Sequence, residues 1–249
     1  MVLRVSVEKF DVSQFNQELG PLSVEERIRW VVEVFGDSAV LLSSMQKTSS
    51  VLMHVFYRLG LDNEILFCDT GFHFTETLRL RDEWMRRYRL NIITLYPTLT
   101  PEQQEAKYRR KLYQCEDGYQ QCCQMRKEEP FLAHVRQHRR RLVMIGSRRS
   151  DGGRRAQLDA IAVDPRIGGY AFHPIYDWTT PQVDDYIRQH DVPVHPLHAL
   201  GYPSIGCACC TTPVLPGEDE RAGRWRHLRQ VGRAGPTYCG LNFTDGSGI

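Results

Sequence analysis

The chain contains no apolar run long enough to cross a bilayer as a helix, a span that takes about twenty residues. Its opening stretch, MVLRVSVEKFDVSQF, lacks the apolar core and small-residue cleavage site of a signal peptide, so no secretion is expected. Charge of one sign is also in short supply. A formal net charge of +2 gives no global field that would draw the chain to nucleic acid or an anionic membrane. The basic run with Arg136, Arg139, Arg140 and Arg141 has no interleaved aromatics and reads as a solvated helix end. Internal repeats and low-complexity linkers are lacking as well. These absences set the expectation of a cytoplasmic protein with no membrane or nucleic-acid partner.

What is present points to an α/β fold. Hydrophobic residues make up 41% of 249, enough to bury a real core. Apolar runs such as AVLLSS, EILFCDTG, NIITLYP, RLVMIGSRRS and YAFHPI read as strands, and amphipathic stretches between them read as helices. Ser23 with Glu26 and Thr100 with Gln103 have the spacing of helix-starting caps. The alternation predicts a doubly wound, mostly parallel sheet with helices on both faces. Residues 1–212 are expected to form one domain, with 1–22 as an N-terminal extension. Residues 213–249, rich in Gly and Pro, are expected to be an irregular and flexible tail.

In such sheets ligands bind beyond the carboxyl ends of the strands. Three of the strands run into polar loops, SSMQKTSS, CDTGFHFTET and GSRRSDGGRR, which are expected to line one site. Ser43, Ser44, Gln46 and Ser49 offer hydroxyl and amide groups there, although capping of the next helix would also account for the serines. Asp69, Thr70 and Gly71 end the second strand, and Gly71 permits close backbone approach. Arg148, Arg149 and Arg155 supply fork-shaped cations, and Arg221 and Arg224 in EDERAGRW are further candidates for holding anions.

The eight cysteines raise a separate question, because thiols stay reduced in the cytoplasm. Cys68 and Cys115 read as small buried residues. Cys122 and Cys123 are adjacent, and Cys207 and Cys210 form a C-x-x-C around Cys209. Two close pairs offer four thiolates for zinc or for an iron–sulfur cluster. Adjacent ligands depart from the two-to-four-residue spacing usual in zinc pairs, which favours the cluster. Cys239, in GPTYCGLNF, is a candidate nucleophile.

Taken together, CDTGFHFTET, GSRRSDGGRRAQL, HPLHALGYPSIGCACCTTPVLPGEDERAGRW and YCGLN resemble the motifs of assimilatory adenylyl-sulfate and phosphoadenylyl-sulfate reductases, in the family's order. The C-C plus C-x-x-C set resembles the iron–sulfur, thioredoxin-dependent subgroup. The resemblance implies an adenine nucleotide alpha hydrolase-like fold and a [4Fe-4S] cluster on Cys122, Cys123, Cys207 and Cys210, with Cys209 not a ligand. It implies that Cys239 attacks the sulfate donor and that thioredoxin or a glutaredoxin-like dithiol releases sulfite. Lys127, just after the cysteine pair, is the candidate that links cluster charge to substrate.

Asp151 and Gly152 stand where the family has Gln-Ser, and Tyr238 and Asn242 replace the Glu and His flanking the catalytic cysteine. Adenylyl sulfate is the expected substrate. Its 3′-phosphorylated form is the alternative, because Lys47 could meet an extra phosphate. A non-catalytic, zinc-stabilised binding module is a further alternative. RNA thiolation is disfavoured, since an S-G-G-x-D-S loop is lacking. The sequence leaves a homo-oligomer open.

Overall fold

The computed structural model describes residues 11–229. Six strands form one sheet: β1 (Ala39–Leu42), β2 (Ile65–Cys68), β3 (Ile92–Leu95), β4 (Leu142–Met144), β5 (Ile161–Asp164) and β6 (Gly169–Phe172). Their order is β3-β2-β1-β4-β6-β5; all neighbours are parallel except the β5–β6 hairpin. The central strands β1, β2 and β4 are buried along their whole length, as a sheet covered on both faces requires.

Among the described residues, nine helices accompany the sheet. They are α1 (Val12–Leu19), α2 (Val24–Phe35), α3 (Lys47–Leu59), α4 (Thr75–Arg87), α5 (Pro101–Tyr108), α6 (Tyr119–Cys123), α7 (Glu129–Gln137), α8 (Thr180–His190) and α9 (Arg226–Arg229). The expected capping boxes form at Ser23 and Thr100, and Thr179 adds a third. One packed cluster, including Ile28, Leu41, Leu52, Phe56 and Phe172, lies on one side of the sheet. The other side is covered by Phe131 and Val135 of α7 against Val40, Leu66 and Val143.

Four elements lie outside the expected set: α1, β5 and the short helices α6 and α9. The stretch taken as an N-terminal extension contains α1, capped by the Asp11 carboxylate and packed through Phe15 and Leu19. Strand β5 turns at Gly168, with φ of 60°, to pair antiparallel with β6. The described part of the segment expected to be irregular is turn-rich. It also returns to the body of the fold: Thr211 bridges to Arg224, and the Trp225 amide donates to Cys210 at 2.9 Å. No helix among the described residues is long and apolar enough to cross a membrane.

Candidate active site: a cation-lined cavity beside a gathering of thiols

The strand order reverses between the parallel neighbours β1 and β4, and a crevice opens there beyond the strand ends. It holds a cavity of about 450 Å³. After β1 the chain passes Ser43 and Ser44 to Met45, whose φ of 56° lies in the left-handed region. That conformation is costly for a residue with a side chain, and full burial of Met45 in the core holds it in place. The flip delivers the chain to the start of α3. Gln46 caps α3 without a side-chain hydrogen bond, leaving the first helical amides for a ligand. Gly146, just after β4, lets α3 approach. A Cβ there would sit 2.8 Å from the Thr48 hydroxyl.

Ser43, Ser44, Gln46 and Ser49 line the cavity from the β1 side, and Arg148 and Arg155 from the β4 side. Arg221 and Arg224 enter from the turn before α9, and Lys127 closes the set. Ser49 Oγ accepts from the Ser44 amide at 3.1 Å and so shapes the turn. Gln46 Oε1 accepts from the Ile205 amide at 2.9 Å, tying the cysteine-bearing segment to α3. Asp151 lies between two arginines: one carboxylate oxygen accepts from Arg148 Nη2 and the other from Arg155 Nη1, both at 2.9 Å. The departure from the family pattern at this position is therefore an internal counter-ion.

Arg224 is buried over the Trp225 ring at 4.6 Å, and a side chain at Gly206 would collide with its guanidinium. Arg148 Nε and Arg224 Nε are buried without a hydrogen-bond partner among the described residues. Buried guanidinium N–H groups left unspent beside a cavity suit an anionic ligand.

Four expected site residues do not line this cavity. Arg149 donates to the Leu158 carbonyl at 2.6 Å and stacks over Tyr176 at 4.7 Å, so it braces the loop. Asp69 accepts from the Gly71 amide at 3.0 Å and lies 3.7 Å from Arg81. Gly71, with φ of 69°, lies against Pro101. Thr70 is fully buried, and its hydroxyl lies 3.3 Å from Cys207 Sγ. The D-T-G loop therefore faces the thiols. Sequence reasoning missed His73, Ser147, Asp184, His198 and Ser204, all of which line the cavity. Only Ser147 and His73 lie inside loops that the strand ends had marked.

The thiols gather next to the cavity. Cys123, Cys207, Cys209 and Cys210 pack with Trp225, Leu228, Tyr113 and Tyr119. Cys122 is buried, and its thiol is pushed up first by burial and further by Cys207 and Cys210 nearby. A π-helical turn, residues 124–128, interrupts the helix straight after the cysteine pair, a feature that often marks functional sites. It buries both Arg126 and Lys127. Arg126 donates to Gln104 Oε1 at 2.8 Å and to the Thr70 carbonyl at 2.7 Å, and stacks over Phe72. Gln104 Nε2 in turn donates to Cys122 Sγ at 3.6 Å. A β-bridge between His73 and Cys207 joins the second strand's loop to the C-x-x-C turn.

The Cys207 thiol is held well below its usual range, first by a hydrogen bond from Cys209 and then, against burial, by Lys127. Cys209 is pushed up by its bonds to Cys207 and Cys210. No group of three or more His, Cys, Asp or Glu that could hold a metal ion is found among the described residues. The donor types are those of a thiolate-ligated group: Cys123, Cys207, Cys209 and Cys210 pack in one cluster, Cys122 is influenced by Cys207 and Cys210 nearby, and Arg126 and Lys127 are buried after the cysteine pair, Arg126 Nη2 without a partner among the described residues. Cys239 lies outside the described residues, as do Tyr238 and Asn242.

The chain is similar to known proteins along most of its length. The chain is 34% identical over 233 residues to the adenosine 5′-phosphosulfate reductase of Halalkalibacterium halodurans, covering 93% of this chain and 96% of the relative. It is 33% identical over 241 residues to the phosphoadenosine 5′-phosphosulfate reductase of Gloeobacter violaceus, covering 96% of each. Among solved structures, the phosphoadenylyl-sulfate reductase of Candida auris superposes with a TM-score of 0.73 at 24% identity, covering 85% of this chain and all of the other, a likeness of fold. Residues 38–213 match the model of the phosphoadenosine phosphosulfate reductase domain, and the chain belongs to that family.

Proposed function

We propose that the protein reduces adenylyl sulfate to sulfite and AMP in assimilatory sulfate reduction. Its electrons come from thioredoxin or a glutaredoxin-like dithiol, and it works in the cytoplasm, where such dithiols are kept reduced. The observation that carries this reading is the cavity at the β1–β4 crevice. Its Arg148, Arg155, Arg221 and Arg224 suit the phosphate and sulfate, and its serines suit the remaining oxygens.

In this reading the Cys239 thiolate attacks the sulfur of the bound donor. A sulfur–sulfur bond forms as the sulfur–oxygen bond to phosphate breaks, and AMP leaves with that electron pair. The arginines neutralise the charge that would repel the thiolate and stabilise the leaving phosphate. A reductant thiolate then attacks Cys239 Sγ, and sulfite leaves with the sulfur–sulfur pair. The second reductant thiol resolves the mixed disulfide, restoring Cys239 and leaving the reductant oxidised.

Cys122, Cys123, Cys207 and Cys210 are the residues that hold the [4Fe-4S] cluster in this proposal. When bound, the cluster supplies a fixed charge and a covalent staple, since the dithiol already provides two electrons. Lys127 lines the cavity and also acts on Cys207, which supports its role as the link between the two. The same reaction on the 3′-phosphorylated donor is the second reading. It is supported by the Lys47 amine in the cavity wall and by the Gloeobacter relative.

The test is anaerobic turnover of both donors with thioredoxin, using the wild type and Cys239→Ser. The wild type is expected to release sulfite and, without reductant, to retain donor-derived radiolabelled sulfur. The serine variant is expected to do neither. Sulfite release by Cys239→Ser at the wild-type rate would overturn the assignment of the nucleophile.

A further inference from the structure

The cavity wall also carries an ion pair that the cysteine chemistry does not use. Lys47, the first residue of α3, places its amine 2.7 Å from Asp184 Oδ1 on α8, and both residues line the cavity. Their side chains are 36% and 40% exposed, so the pair sits at the accessible rim. The Asp184 carboxylate makes no other hydrogen bond among the described residues, which leaves its second oxygen open to a ligand. It lies one helical turn beyond Thr180, whose hydroxyl receives Arg148 at 3.4 Å.

The other acids of the cavity are differently placed. Asp151 is spent on Arg148 and Arg155. Asp219 closes its own turn by accepting from the Arg221 amide at 2.8 Å, and Glu220 lies on that same arginine-bearing turn. Asp184 alone among these stands on a helix away from the arginine loops. A carboxylate in a nucleotide cavity has a clear preference: it accepts from ribose hydroxyls and repels a phosphate in their place. Lys47 is already compensated by that carboxylate, so it is no spare cation for an added phosphate.

We infer that Asp184, held by Lys47, is the specificity-determining residue that accepts a ribose hydroxyl and excludes a ribose phosphate. The inference rests on the nucleotide-sulfate reading above and selects between its two donors. It runs against the simplest expectation for Lys47, that a lysine near the ribose favours the phosphorylated form.

Calorimetric titration of the full-length wild type with AMP and with adenosine 3′,5′-bisphosphate tests this without needing turnover. The wild type is expected to bind AMP more tightly. Asp184→Asn is expected to narrow the preference about tenfold, the effect of one partly screened like-charge contact. Lys47→Gln bares the carboxylate and is expected to widen the preference. A preference unchanged within about twofold in both variants, or tighter binding of the bisphosphate by the wild type, would overturn the inference while leaving the reaction class intact. Failure of the wild type to bind either nucleotide would remove the nucleotide reading itself, and this inference with it.

Discussion

The cavity and the thiol gathering are neighbours built on different principles. The cavity is a consequence of the sheet: reversal of the strand order between β1 and β4 leaves a crevice, and residues just past the strand ends face it. The thiols are brought together by segments far apart in sequence, the helix at Cys122 and Cys123 and the turn at Cys207–Cys210. Few regular backbone ladders hold those segments. Their attachments are side-chain bonds through Gln104, Arg126, Thr70 and Gln46, two isolated bridges, His73 to Cys207 and Thr211 to Arg224, single backbone bonds such as that from Ala208 to Phe72, and the cover of Trp225. A preformed pocket can thus stand next to a region whose order depends on a handful of contacts and on what the thiols bind.

The sharpest way to break the comparison is to remove that cover. Trp225 is 1% exposed and packs against Cys210, Leu228 and Arg224. Its own φ of 48° shows that the backbone is held there at a cost. Trp225→Ala is expected to cost about 4 kcal/mol, the usual penalty for emptying a buried aromatic site. Thermal unfolding should show a fall of about 10 °C for a chain of this size. If the two regions are as differently supported as described, hydrogen exchange should rise first at the amides of residues 207–212, and the β1 and β4 amides should stay protected. Uniform loss of protection would show that the regions stand or fall together.

The sheet has its own weak point, in pH. His173 follows β6 and is fully buried, and burial, with Arg155 nearby as the second cause, depresses its ring to about 4 from an ordinary 6.5. A lowered folded value means the unfolded chain binds more protons between those two values. The stability contributed by the neutral ring is therefore fully present above about pH 6.5 and is lost as pH falls toward 4, up to about 3 kcal/mol. His173→Phe should flatten that part of the stability–pH curve, as measured by urea unfolding between pH 7 and about 4. An unchanged slope in the variant would mean that other groups dominate the acid side.

The same contrast explains what could be read from sequence. AVLL, ILFC and LVM are buried on every residue, so the strands and their polar exits stood out, and Ser43, Ser44, Arg148 and Arg155 were found at the cavity. Strand β5 was missed because Ile161–Asp164 is only half covered at a sheet edge and reads as loop before the Pro165 turn. Inside the loops, sequence marks the loop but not the direction of each side chain. Arg148 and Arg149 are adjacent, yet one enters the cavity and the other stacks on Tyr176. Thr70 looked like a substrate contact and faces Cys207 instead. Arg126 carried no signal beside Lys127, because its burial depends on the π-helical turn, which no periodicity announces.

The smallest expected effect probes the junction between the two regions. Gln104 Oε1 accepts from Arg126, and that bond fixes which end of the amide points at Cys122: the Nε2 donor must face the sulfur. Gln104→Glu keeps the acceptor for Arg126, removes the donor to Cys122 and puts a carboxylate in its place. Stability should change by less than about 1 kcal/mol, since the buried guanidinium retains its partner. In protein loaded anaerobically with iron and sulfide, the iron content should equal that of the wild type. The reduction potential should move to more negative values, because a sulfur that loses a hydrogen bond and gains a nearby anion favours the oxidised cluster. A potential and visible spectrum identical to the wild type's would show that the amide only packs against the thiol, and that Arg126 alone connects the two regions.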